Sequence, residues 1–199
     1  YFLYDHERES PNRAAGHIHF LIHGQRGAKL TFEFKNLENV WNGVKASVAP
    51  TTHTVVVSED GRTWKPVKLE NLPDDRVRLT VEMPGSRLYV ARVEPYRISD
   101  LEALLASIRN DPRVAITPVG RTGEGRQLEI VRIGNASAPY RVFVRARAHG
   151  FEAGGNWVAQ GLVRRLLESD ATARQYLERY VVYLMPMANK DAVARGGTR

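Results

Sequence analysis

The sequence predicts two architectures in one chain. An antiparallel β-sandwich is expected over residues 1–94, and an α/β domain with a mixed, mostly parallel sheet over 95–199. Three observations carry this reading. Six short runs before Pro95 are β-branched or alternate apolar with polar, with turn residues between them and no helical period. The character changes near Pro95, where an amphipathic helical pattern begins. From there on, strand-like and helix-like stretches alternate, as in layered α/β folds.

The strand candidates are "HIHFLIH", "KLTFEFKNL", "GVKASVAP", "HTVVVSED", "DRVRLTVEM" and "RLYVARVEP". Asp60-Gly61 in "SEDGRTW" marks a hairpin between "HTVVV" and "WKPVKLE". His17, His19 and His23 share one face of the first run, and with no carboxylate at a matching position they read as its solvent side. In "ISDLEALLASIRND", Ser99 and Glu102 have the spacing of a capping box. Leu101, Leu104, Leu105 and Ile108 follow at helical spacing, and Asp111-Pro112 ends the helix. "ITPVGRTGEGRQLEIVRIGN" reads as two strands around a glycine-rich turn, and "YRVFVRARAH" as a third. "EAGGNWVAQGLVRRLLES" reads as a helix with Val158, Leu162, Val163, Leu166 and Leu167 on one face. "DATARQYLERY" supplies a further helix and "VVYLMPM" a buried strand, while the polar "NKDAVARGGTR" reads as a loop leaving that strand.

Composition bounds the function classes. With 43% hydrophobic and 26% charged residues the chain is ordinary globular material, and no run reaches the roughly 20 apolar residues of a membrane span. The absence of cysteine excludes disulfides and thiolate metal sites. The net charge of +7 is spread among acids, without a basic block or an aromatic platform, so a solvated basic surface is expected and no nucleic-acid partner. Position 1 is Tyr, which suits a processed or trimmed chain.

One stretch carries chemistry. The run "RVFVRARAH" ends on His149, and Glu152 opens the helix that follows. In open α/β sheets ligands bind beyond the carboxyl ends of strands, where both His149 and Asn189 are expected. A turn between His149 and Glu152 lets imidazole and carboxylate reach one zinc ion. Spacing alone leaves another reading open, in which Glu152 is a first-turn acid favoured by the helix dipole. Arg147 either orients the ligand loop or pairs with a structural acid. Trp64 and Trp157 are expected to pack in cores rather than stack on a substrate.

Taken with its surroundings, "RAHGFE" before a long amphipathic helix, and "YLMPMANKDAVARGGTR" some thirty residues on, resembles the zinc metallocarboxypeptidases, most closely their cytosolic-carboxypeptidase-like branch. Arg147, His149 and Glu152 match that branch's Arg-x-His-Pro-x-Glu, with Gly150 where proline is usual. Pro186, Asn189 and Asp191 match its apolar strand, proline and Asn-Pro-Asp-Gly, from which Lys190 and Ala192 depart. The helix and "GRTGEGR" hairpin upstream, and an N-terminal β-sandwich, fit the same branch. The resemblance implies zinc held by His149 and Glu152, hydrolysis of a peptide or amide bond near a free carboxylate, and a peptide or protein substrate. It implies that Arg199 binds substrate and stabilises the developing oxyanion, with Arg147 and Asn189 supporting the ligands. The family's third ligand and general base lie downstream of Arg199, so the 199 residues are expected to be a fragment, inactive alone. Phe151 stands where the digestive branch has a substrate-binding arginine, so specificity does not transfer. The rival readings are a non-catalytic peptide- or carbohydrate-binding relative and a β-sandwich adhesion protein. Compartment and oligomeric state are not legible.

Overall fold

In the computed structural model, residues 12, 14, 15 and 17–197 are described, and the chain divides into two compact units between Pro95 and Tyr96. In the first unit, alternation of apolar and polar residues produces β1 (His19–His23), β2 (Lys29–Phe34), β3 (Glu38–Trp41), β4 (Val44–Ser47), β5 (Thr54–Ser58), β6 (Lys65–Lys68), β7 (Glu70–Leu72), β8 (Arg76–Glu82) and β9 (Arg87–Ala91). One sheet runs β1-β9-β5-β6, a second β2-β8-β7, and β3 and β4 form a separate ribbon. All of these ladders are antiparallel. Phe20, Ile22, Val55, Leu88 and Val90 of the first sheet pack with Leu30, Phe32, Phe34, Val77 and Leu79 of the second in one apolar core. A side-chain period of two lets each strand give one face to that core and turn the other to water. His19 and His23 accordingly lie exposed on β1.

The Asp60-Gly61 hairpin joins β5 to β6 through residues 59–64 rather than a two-residue turn. Asp60 accounts for the longer loop. Its Oδ1 accepts from Ser58 Oγ at 2.9 Å and from the backbone N–H of Arg62 and Thr63 at 2.7 Å each. Those backbone donors hold its carboxyl far below the usual carboxylate range.

The second unit contains α1 (Ile98–Ile108), β10 (Val114–Arg121), β11 (Gln127–Ile133), β12 (Tyr140–Arg145), α2 (Gly154–Leu166), α3 (Ala171–Arg179), β13 (Tyr180–Met185) and α4 (Lys190–Arg195). Its sheet has the order β10-β11-β13-β12. Val131, Ile133, Val142, Val144, Val182 and Leu184 share one face by register, and α1, α2 and α3 add Leu104, Ile108, Val163, Leu166 and Leu177 to the same core. Among the described residues no helix is long and apolar enough to cross a membrane.

Four expectations need correction. The sheet is mixed, but only β12–β13 is parallel; β10–β11 and β11–β13 are antiparallel. The short "TGEGR" turn leaves β10 and β11 no other geometry, since a parallel pair needs a crossover of a dozen or more residues. The cap of α1 is not Ser99 with Glu102. Arg97 is the N-cap, and Asp100 Oδ2 accepts its backbone N–H at 2.7 Å and its guanidinium Nε at 3.0 Å. The inner face of α2 is Asn156, Ala159, Gln160, Val163 and Leu166, whereas Val158 is 73% exposed. Two polar side chains with buried partners turn the helix away from the face its apolar residues alone define. Finally, the "NKDAVARG" loop contains α4, whose N-cap Asn189 accepts from Ala192 N at 3.1 Å and whose C-cap Gly196 sits at φ 72°.

Candidate metal centre

Because β12 and β13 are parallel, their carboxyl ends emerge at one edge of the sheet, and the loops that follow them meet there. The pairing continues past both strands. Ala146 N–H donates to Met185 O at 2.9 Å, Ala188 N–H to Ala146 O at 3.0 Å, and Asn189 N–H to Arg147 O at 3.0 Å. The loop carrying His149 is thereby laced to the segment that leads into α4.

Arg147 shapes that loop from inside. Its backbone takes φ 55°, the left-handed region, which reverses the chain after β12. Its buried side chain donates from Nε to the Gly150 carbonyl at 2.8 Å. One terminal nitrogen reaches the Tyr96 carbonyl at 3.2 Å and Asn156 Oδ1 at 2.9 Å. Asn156 Nδ2 in turn donates to the Pro186 carbonyl at 2.6 Å. Burial pulls the Arg147 guanidinium down to about 10, with Glu152 acting in the opposite sense, so it stays charged at neutral pH. Arg141 and Arg145, the other arginines of the alternating run, are exposed. Beside Arg147, the Tyr96 hydroxyl donates to Gln160 Oε1 at 3.0 Å, and Trp157 sits edge-on to the Tyr96 ring at 4.8 Å. Trp157 is therefore packing material, and Trp64 in the first unit is likewise edge-on to Tyr89.

The loop held this way brings His149 and Glu152 together. His149 Nδ1 lies 3.1 Å from Glu152 Oε1, and the two side chains are 47% and 50% exposed. A direct hydrogen bond and a shared ion both satisfy that separation. Two ligands about 2.0–2.2 Å from a tetrahedral zinc stand roughly 3.3–3.6 Å apart, a few tenths from what is seen. Two donors with accessible lone pairs on a braced loop therefore fit two corners of a zinc site. Among the described residues no cluster of three or more metal-donor side chains occurs.

Asn189 braces the loop from the other side, with Nδ2 3.4 Å from the Ala148 carbonyl. Gly150 explains why the expected proline is missing. A Cβ at this position would lie 2.5 Å from the Ala192 methyl and 2.5 Å from the Gly197 carbonyl oxygen. Ala192 thus occupies the space a side chain at 150 would need. Gly150→Ala is expected to cost about 1–3 kcal/mol in denaturant unfolding, and Gly150→Ala with Ala192→Gly to recover part of it. Equal losses in the single and double variants would show that the methyl contact is not the constraint.

Of the residues singled out in the sequence, His149, Glu152, Arg147 and Asn189 converge at this edge, while Arg199 lies outside the described residues. Asn156 and Gln160 escaped notice because hydropathy assigns amides to solvent. The one available signal was their helical spacing with Ala159 and Val163.

Comparisons with known proteins bear on the family and the fold. Residues 101–198 match the family described as zinc carboxypeptidase. Cytosolic carboxypeptidase 2 of Danio rerio is 31% identical over 133 residues, covering 60% of this chain and 18% of that protein. Human cytosolic carboxypeptidase 4 is 34% identical over 88 residues, covering 44% of this chain and 8% of that protein. The crystal structure of a metallo-carboxypeptidase from Burkholderia cenocepacia superposes with a TM-score of 0.83 at 24% identity, over 95% of this chain and 51% of that one. That of a Pseudomonas aeruginosa metallo-carboxypeptidase, in complex with (2-guanidinoethylmercapto)succinic acid, gives 0.78 at 24% identity, over 95% and 51%. The chain thus spans about half the length of these structures and far less of the curated relatives. The second unit, with its His149–Glu152 loop laced to the segment that follows β13, belongs to the zinc carboxypeptidase family.

Proposed function

We propose that this chain carries part of the active site of a zinc-dependent metallocarboxypeptidase, which hydrolyses a peptide or amide bond near a free carboxylate, with His149 and Glu152 as two of the zinc ligands. The observation that carries the reading is the 3.1 Å approach of His149 Nδ1 to Glu152 Oε1 on a loop beyond the carboxyl end of a strand. Family membership of the second unit supports it. A zinc ion bound there supplies Lewis acidity toward a carbonyl and a water of lowered pKa.

The chain's own residues bind and orient. Arg147 and Asn189 fix the backbone on either side of His149, so its imidazole and the Glu152 carboxylate are held within a few tenths of an ångström of the separation a shared zinc needs. Arg199, by the resemblance of "RGGTR" to the family's motif, donates to the oxygen that becomes negative as the carbonyl is attacked. The resemblance assigns no third ligand and no general base within residues 1–199.

Two outcomes test the reading. The full-length protein should release a C-terminal or side-chain-linked amino acid from a peptide with a free carboxylate, and a chelator should stop it. The 199 residues alone should hydrolyse nothing, because two protein ligands hold zinc loosely and no base is placed. Chelator-sensitive turnover by the 199-residue chain would mean that the whole catalytic set lies within residues 1–199 and is misassigned here.

A further inference from the structure

We infer that Lys190 is a positioning residue for the His149–Glu152 loop: its buried ammonium ties the first turn of α4 to β11. The loop's chemical purpose rests on the reading above. The mechanical claim does not.

The pair is among the most enclosed charges described. Lys190 Nζ lies 2.7 and 2.8 Å from the two carboxylate oxygens of Glu129, with side chains 9% and 5% exposed, and it donates to the Gln127 carbonyl at 2.7 Å. Taking both charges out of water is costly, and hydrophobic replacements of such pairs are often as stable. Stability alone therefore does not account for a lysine here, whereas placement does. Glu129 sits on β11 opposite Pro118, where the β10–β11 register slips. Lys190 is the first residue of α4, directly after Asn189, which caps the helix and approaches the Ala148 carbonyl.

The next residue repeats the tie. Asp191 Oδ1 accepts from Thr122 Oγ1 at 2.7 Å and from Arg126 at 2.6 Å, and Oδ2 accepts from Glu124 N–H at 3.0 Å. α4 is thus anchored to the β10–β11 hairpin by two consecutive residues. Its Ala192 methyl meanwhile abuts Gly150 in the middle of the ligand loop. Displacing α4 removes the surface on which that loop rests.

The test separates tether from stability in the metal-free full-length protein, by hydrogen exchange over residues 147–153 and by thermal unfolding. Lys190→Met orphans Glu129, so the melting temperature should fall by about 10 °C or more. Exchange in the loop should quicken at least ~10-fold through local opening. Glu129→Leu with Lys190→Met removes the orphaned charge, so the melting temperature should recover while loop exchange stays at least ~10-fold fast. Glu129→Gln, a milder change that keeps the site filled, should give intermediate exchange. Loop protection that recovers with the melting temperature in the double variant, or that is unchanged in Glu129→Gln, overturns the inference. A full-length protein that binds no zinc would remove the functional reading and leave the exchange results to decide this one.

Discussion

Arg147→Ala should destabilise the second unit by about 3–5 kcal/mol, a loss at the top of the range for a single substitution. The side chain leaves behind three buried acceptors: the carbonyls of Tyr96 and Gly150 and the Asn156 amide oxygen. Each unsatisfied acceptor costs about 1–3 kcal/mol, partly relieved if water enters the space vacated. Arg147→Lys should recover little of this. An ammonium is a single centre, whereas the guanidinium spreads its donors across Nε and a terminal nitrogen toward partners on two sides. Denaturant unfolding of the three proteins measures the effect directly. A loss below about 1 kcal/mol for Arg147→Ala would mean that solvent already serves those carbonyls.

Arg199→Ala should lower turnover of the full-length protein at least a hundredfold while leaving bound zinc nearly unchanged. A donor aimed at a developing oxyanion typically contributes about 3–4 kcal/mol, or roughly 10² to 10³ in rate. The loss falls on turnover because the charge exists mainly in the transition state. Steady-state kinetics alongside a zinc assay give both quantities. Near-normal turnover would leave Arg199 without a catalytic role and weaken the sequence resemblance over "NKDAVARGGTR" that assigns it one.

How far the sequence foretold this arrangement depends on which physical signal each element carries. The strands of the first unit were legible because one inner face imposes a period of two, visible in "HFLIH" and "RVRLTVE". His149 and Glu152 stood out because the residues around them resemble a known family's motifs; their spacing alone left a first-turn acid as an equal reading of Glu152. Ladder direction in the second unit was legible only at the "GRTGEGR" hairpin, which makes β10 and β11 antiparallel. Alternating strand and helix patterns suggested parallel neighbours, yet β11 pairs antiparallel on both of its sides. The buried polar residues were hidden as well. Asn156, Gln160, Glu129 and Lys190 all read as surface positions by hydropathy, and each is buried only because a specific partner waits for it. α4 escaped because six mostly polar residues have no periodicity to display, although Asn189 and Gly196 stood at its two ends as cap residues.

A zinc-loaded crystal structure of the full-length protein tests the central claim most directly. If His149 and Glu152 share the ion, zinc should lie about 2.0–2.2 Å from a His149 ring nitrogen and from a Glu152 carboxylate oxygen, at the edge where β12 and β13 end. Zinc ligated elsewhere, with His149 and Glu152 still bonded only to each other, would contradict it.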